Sequence, residues 1–185
     1  KRALAKVSDR FDVILLDCPP SLGVLTLNGL TAAGEVIVPL QCETLAHRGV
    51  GQFLRTVTDV QQITNPDLTL LGALPTLYDA RTTHSRDVLF DVVDRYQLPV
   101  LAPPIPRTVR FAEATASGSS VLTGRKNKGA MAYRELADGL HLGGLRDLAL
   151  EPGFLGAVGQ PQQHRRLAQP AHPGERQRDR VFGLV

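Results

Sequence analysis

The sequence predicts an α/β protein built on an open, mostly parallel sheet with helices on both faces. Three observations carry this. Short apolar runs of β-forming residues recur at Val13–Leu16, Val36–Val38, Leu68–Leu74 and Val100–Ala102. Longer stretches between them place apolar residues three and four apart, the period of an amphipathic helix. The alternation strand, helix, strand, helix requires right-handed crossovers and so a parallel sheet covered on both sides. The strands are too few for a barrel, and no internal repeat is visible.

Taken in order, Lys1–Val7 reads as the end of a helix, with Leu4 and Val7 on one face. Val13–Leu16 follows a turn-like Ser8-Asp9-Arg10 and runs into Asp17 and Pro19-Pro20. The run reads as a strand buried on both faces, because prolines cannot extend a ladder. Ser21 is placed to cap a helix over Leu22–Ala33, which Gly34 stops. Glu35–Leu40 is the next strand, closed by Pro39. Thr44 caps a helix from Leu45 to Ile63, whose Val50, Phe53, Leu54, Val57 and Val60 form one stripe, and Asn65-Pro66 ends it. Leu68–Leu74 is a third strand, with Gly72 inside it. Helices over His84–Gln97, Thr108–Ala116 and Lys128–Leu140 and a fourth short strand at Val100–Ala102 complete the pattern.

At 185 residues the chain is long enough for one domain with a sizeable core. No apolar run is long enough to span a bilayer, and the start carries no signal-peptide pattern. Cys18 and Cys42 lie beside apolar strand ends, where reduced, packed thiols are expected rather than a disulfide. A metal site would need more ligands at closer spacing. The net charge of +3 permits nucleic-acid binding without demanding it. The five scattered histidines are assigned no role.

The chemistry concentrates at Asp17. Ligands of open α/β sheets bind beyond the carboxyl ends of the strands, and a carboxylate there can hold a magnesium ion or its bound water beside a nucleotide phosphate. An apolar strand followed by Asp is equally the pattern of a turn-forming aspartate at a sheet edge. The longer pattern adds to this. Asp17-Cys-Pro-Pro-Ser-Leu, then Leu27-Asn-Gly-Leu-Thr-Ala-Ala and Val36-Ile-Val-Pro-Leu-Gln-Cys-Glu43, resembles the central part of the ParA/Soj partitioning ATPases, a deviant Walker-A P-loop class. Gly72-Ala-Leu-Pro-Thr-Leu-Tyr-Asp-Ala-Arg-Thr82, Ile105-Pro-Arg-Thr-Val-Arg-Phe-Ala-Glu-Ala114 and Asn127-Lys-Gly-Ala-Met-Ala-Tyr-Arg-Glu-Leu-Ala137 are similar to three further family segments, in the family's order. The resemblance runs from about Phe11 to Leu140.

The resemblance implies a P-loop NTPase-like fold, incomplete at the N-terminus, with ATP and Mg2+ as cofactors. It implies a homodimer that sandwiches ATP and binds double-stranded DNA without sequence preference. A ParB/Spo0J-type centromere-binding protein stimulates hydrolysis. The location implied is cytoplasmic and nucleoid-associated, with no membrane partner. By match, Asp17 is the Walker-B-type residue and holds the magnesium-bound water, and the Pro-Pro loop senses the γ-phosphate. Thr76, Tyr78, Asp79, Pro106 and Arg107 would lie against the adenine. Arg110 matches a family arginine implicated in DNA contact, and Arg107, Arg81, Arg86 and Arg95 are further DNA candidates. Arg86 and Arg95 read equally as solvated charges on an amphipathic helix. Lys126 and Lys128 read mainly as solvated charges. No aromatics interleave with the basic residues, which argues against single-strand recognition.

Neither Gly-x-x-x-x-Gly-Lys-Ser/Thr nor Lys-Gly-Gly-x-Gly-Lys occurs in the sequence. No catalytic residue is therefore assignable, and the expectation is a C-terminal part of an ATPase, inactive alone. Residues 1–141 are assigned to that domain. Residues 142–185, rich in Gly, Pro, Gln, Arg and His, show no periodicity and read as a disordered or out-of-family tail. The alternatives are a MinD-like or other deviant Walker ATPase with another cargo, and a noncatalytic binding module that lost its P-loop.

Overall fold

The computed structural model describes residues 1–42, 46–123, 127–141 and 180–184. Three of the four expected apolar runs form strands: β1 (Val13–Asp17), β2 (Glu35–Gln41) and β3 (Thr69–Thr76). The helices between and after them are α1 (Val24–Ala32), α2 (Ala46–Ile63), α3 (Thr83–Tyr96), α4 (Val109–Ala116) and α5 (Lys128–His141). A further strand, β4 (Arg180–Leu184), enters the sheet, whose order is β1-β4-β2-β3 with every pairing parallel.

Alternation along β2 sorts the two faces. Ile37 faces one side with Leu71, Leu74 and Phe182, packed on Ala132 and Leu136 of α5 and on Leu101 and Ile105. Val36 and Val38 face the other, packed on Leu30 and Ala33 beside Phe53, Val57 and Val60 of α2. Leu40 joins Val50 of α2 and Leu89 and Val92 of α3 on that side. The expected sheet with helices on both faces is the observed one.

Several local expectations are corrected. β1 is an edge strand among the described residues, and Leu15 is 56% exposed, so it is not buried on both faces. Val100 makes only an isolated bridge to Ala73 instead of a fourth strand. Pro99, Pro103 and Pro104 lack the N–H groups that a longer ladder needs. Lys1–Val7 is no α-helix; short 3-10 turns cover Leu4–Lys6 and Ser8–Arg10. Ser21 does not cap α1, which starts at Val24 after Gly23 with no side-chain cap. Gly34 follows α1 as expected, but for a sheet contact: its N–H donates to Val181 O (2.8 Å) and its carbonyl accepts from Thr69 N–H (2.9 Å). The expectation of no regular structure over 142–185 does not hold at Arg180–Leu184; residues 142–179 and the Thr44 cap lie outside the described residues.

Asn65 ends α2 as the Asn-Pro pair suggests, and its side chain adds a long-range tie. Buried at 3% exposure, its Nδ2 donates to Leu30 O (3.0 Å) and Ala33 O (2.7 Å) at the end of α1. These are helix-end carbonyls without intrahelical partners. Asn65→Ala is expected to lower stability by about 1–3 kcal/mol, because it strands buried acceptors. A denaturation midpoint equal to that of the parent protein would show that these bonds hold nothing.

Candidate functional site

The carboxyl ends of β1, β2 and β3 open on one edge of the sheet, where Asp17, Gln41 and Thr76 end their strands. β1 and β3 are three strand spacings apart, about 14 Å. The edge therefore has two walls.

The first wall is Asp17 and the loop behind it. Asp17 is exposed at the tip of β1. Thr26, fully buried in α1, donates its hydroxyl toward Ser21 O (2.6 Å) and Pro19 O (3.1 Å). Its single proton is shared between two carbonyls of the Pro-Pro-Ser loop. Gly29 lets the loop approach the helix: a Cβ there would lie 2.6 Å from Cys18 Sγ. The prolines stiffen the loop, and Thr26 and Gly29 fix where it sits. Sequence reading did not single out either residue. Little in the sequence marks them, because Thr26 and Gly29 share α1 with two further polar residues, Asn28 and Thr31.

The second wall is a backbone ladder. Ile105 N–H donates to Pro75 O (2.8 Å), Tyr78 N–H to Ile105 O (3.0 Å) and Arg107 N–H to Tyr78 O (3.0 Å). It brings Thr76, Tyr78, Asp79, Pro106 and Arg107 together. The Tyr78 ring, however, is 5% exposed and packs among Leu40, Val50 and Leu89. Its N–H and carbonyl are already paired in the ladder, so Tyr78 can offer a ligand only the second lone pair of that carbonyl, and not its ring. Asp79 accepts from Arg81 Nε (3.0 Å), Nη2 (2.9 Å) and backbone N–H (3.0 Å). Those hydrogen bonds hold its carboxyl down at about 2, with a smaller contribution from the nearby Arg107 charge.

The arginine candidates separate. Arg81 and Arg107 flank Asp79. Arg110, the second residue of α4, pairs with Glu113 at 2.8 Å. Arg86 lies close enough to Tyr78 to act on it electrostatically. Arg95 sits nine residues further along α3, about 13 Å from Arg86 along the axis. It lies over the Tyr96 ring at 6.0 Å in the last turn of α3, a position the helix dipole favours for a cation. Arg95 thus stands apart from the other four. Lys126 lies outside the described residues.

No group of three or more His, Cys, Asp or Glu that could hold a metal occurs among the described residues. One exposed carboxylate at a strand end fits magnesium, which keeps several waters and takes one or two carboxylates plus phosphate oxygens. Cys42 is buried, and burial pushes its thiol up to about 11. Cys18 is partly buried, with its thiol raised by burial and by the neighbouring Asp17 charge. An acid whose folded value is raised loses stability as pH climbs from the unfolded value to the folded one, here from about 9 to about 11. Cys42 is expected to resist an aromatic disulfide reagent at pH 8 until the protein unfolds, while Cys18 reacts first. Equal rates at the two thiols would contradict the packing.

A parallel sheet with helices on both faces and an aspartate-prolyl loop at its carboxyl edge defines a P-loop NTPase-like α/β protein. A solved structure titled cobyrinic acid a,c-diamide synthase from Mycobacterium smegmatis matches with a TM-score of 0.65 at 74% identity, over 76% of this chain and 51% of that one. The same protein with a bound ATP analogue and magnesium matches at 77% identity and a TM-score of 0.65, over 75% and 51%. A family described as an AAA domain matches residues 1–70. Soj of Bacillus subtilis, a sporulation initiation inhibitor protein, is 44% identical over 138 residues, 74% of this chain and 54% of that protein. The chromosome partitioning protein ParA of Myxococcus xanthus is 40% identical over 135 residues, 72% and 48%. The chain belongs to the ParA/Soj family of ATPases and spans about half the length of the curated relatives it matches.

Proposed function

We propose that residues 1–141 form the C-terminal part of a ParA-type ATPase domain of chromosome or plasmid partitioning. In the intact protein, Asp17 holds the magnesium-bound water, and the loop at Pro19-Pro20 follows the γ-phosphate against Thr26. Thr76, Asp79, Pro106 and Arg107 bound the base at the other wall, joined by the Tyr78 backbone. The intact protein acts as an ATP-dependent homodimer on nonspecific double-stranded DNA, on the nucleoid in the cytoplasm, with a ParB/Spo0J-type partner stimulating hydrolysis. The observation that carries this reading is the pinned Asp17 loop at the carboxyl edge, in a chain 44% identical to Soj. The bound magnesium and ATP analogue in the Mycobacterium smegmatis structure support the cofactors.

Phosphoryl transfer needs a phosphate cradle as well as a metal site, and the sequence carries no such loop. The purified 185-residue chain is expected to turn over no ATP above background. The same residues preceded by a segment with the Lys-Gly-Gly-x-Gly-Lys-Thr loop are expected to hydrolyse ATP faster with DNA present. Asp17→Ala in that longer protein should lower turnover by about 100-fold or more, as loss of a charge placed for the transition state does. Turnover by the shorter chain alone would sink the proposal. Arg110→Ala in the longer protein should weaken DNA binding and lower its salt dependence by about one counterion.

A second reading keeps the ATPase and changes the cargo, as in the 74% identical protein named for making cobyrinic acid a,c-diamide. ATP turnover that responds to cobyrinic acid and ignores DNA would favour it.

A further inference from the structure

The loop over residues 17–21 is hung between two apolar anchors. Leu16 before it and Leu22 after it pack against the cluster of Leu30, Val36 and Val57. Between the anchors Pro20 and Ser21 are exposed, and Cys18 and Pro19 are only partly covered. Two contacts seat this span on α1. Cys18 lies over Gly29, where an added Cβ would come within 2.6 Å of its Sγ. Thr26 supplies the polar contact, with its hydroxyl 2.6 Å from Ser21 O and 3.1 Å from Pro19 O. No other hydrogen bond joins residues 17–21 to α1 among the described residues. Thr26 is itself fixed, because it is fully buried in the first turn of the helix. A hydroxyl has one proton to donate, so it satisfies one of the two carbonyls fully at a time. The second carbonyl stands close enough to take the bond over after a small movement of the loop.

We propose that Thr26 is a positioning residue for Asp17, a two-place latch whose hydroxyl passes between Ser21 O and Pro19 O as the loop moves. With the bond on Ser21 O, the far end of the loop is held and the prolyl end is slack. With the bond on Pro19 O, the hold lies two residues from Asp17 and ties the carboxylate more closely to α1. The buried hydroxyl has an acceptor in either place, so the exchange never leaves a buried donor unpaired. The two prolines stiffen the span, so a shift at Pro19 is passed on to Asp17 rather than absorbed between them. What the latch does to turnover rests on the ATPase reading; the hold of Thr26 on the loop does not.

Cys18 reports the seating of the loop, since its thiol lies against Gly29, and the buried Cys42 reports general opening. In the 185-residue chain, Thr26→Val keeps the shape of the side chain and removes the hydroxyl. Its Cys18 is expected to react with an aromatic disulfide reagent at pH 8 about tenfold faster than in the parent, the shift in local opening that one lost hydrogen bond sustains. Cys42 should keep its parent rate, and Thr26→Ser, which keeps the hydroxyl, should leave Cys18 at the parent rate. Thr26→Ala carries the same expectation if the valine variant does not fold. In the longer protein with the Lys-Gly-Gly-x-Gly-Lys-Thr loop, Thr26→Val should lower kcat by about tenfold or more with little change in KM for ATP, as misplacing a reacting group does. Thr26→Ser should restore kcat. There an ATP analogue with magnesium should change the Cys18 rate of the parent and leave Thr26→Val at its fast rate. An unchanged Cys18 rate in a folded chain without the hydroxyl overturns the proposal, as does faster reaction at Cys18 and Cys42 together, which marks general loosening. A longer protein that hydrolyses ATP while its Cys18 ignores the analogue has a static pin, which overturns the exchange. If its kcat ignores Thr26→Val, the positioning role fails and the ATPase reading stands. Faster Cys18 reaction in the shorter variant, beside a longer parent protein that turns over no ATP, upholds the hold on the loop and defeats the ATPase reading.

Discussion

Phe182→Ala is expected to destabilise the protein by about 3–5 kcal/mol, the cost of emptying a fully buried aromatic site. Against a typical domain stability of about 5–15 kcal/mol, this is a large fraction. The ring joins Ile37 and Leu74 of the sheet to Leu136 of α5, and its strand is the one that ties β1 to β2. Loosening Phe182 therefore also loosens the strand that carries Asp17. Urea denaturation followed by circular dichroism measures the loss, and hydrogen exchange on β1 should rise with it. A loss below about 1 kcal/mol would mean that this face of the sheet collapses around the smaller side chain or that Phe182 is not buried in solution.

Gly72→Ala is expected to cost about 2–5 kcal/mol, from two sources that act together. Leu70 pairs with Val36 and Gly72 with Ile37, so Leu71 is an extra residue and the strand bulges there. Gly72 has φ +146, a conformation that side chains rarely adopt, and a Cβ would lie 2.5 Å from the Pro99 carbonyl oxygen. That oxygen accepts from Ala73 N–H at 2.8 Å, so it cannot withdraw without breaking the tie between β3 and the Pro99–Leu101 segment. Gly118 provides the control. Its φ is +60, but a Cβ there meets nothing within 4 Å. Gly118→Ala should therefore cost only the conformational penalty, about 1 kcal/mol. If the two substitutions have equal effects in thermal or urea denaturation, the Pro99 contact is not what constrains Gly72.

The candidate site was legible where chemistry and chain order coincide. Asp17 was readable because an apolar run ends in a carboxylate before two prolines. The joining of Thr76–Asp79 to Pro106-Arg107 was readable through the family segments that contain them. The direction of the Tyr78 ring was not, because a tyrosine at a strand end can face either the core or a ligand. Packing against Leu40, Val50 and Leu89 decides that it faces the core. Thr26 and Gly29 escaped notice because their role depends on the distance between loop and helix, which no local pattern encodes. Arg95 lies apart from the other arginines because α3 runs away from the site, a consequence of helix direction rather than of residue type.

The sequence by itself determined the class of fold, the order of its first three strands and five helices, and the position of Asp17. Each of these rests on local periodicity, capping and turn chemistry. It did not determine the centre of the sheet. Arg180–Leu184 is five residues in a stretch of polar and turn-forming composition, and alone it has no face to bury. Only between β1 and β2, with both edges offering unpaired backbone groups and a pocket for Phe182, does strand geometry become its stable state. Conversely, Val100–Ala102 has the apolar character of a strand, yet its flanking prolines leave it a single bridge. Tertiary structure decided both cases, because a strand is stabilised by partners supplied from elsewhere in the chain.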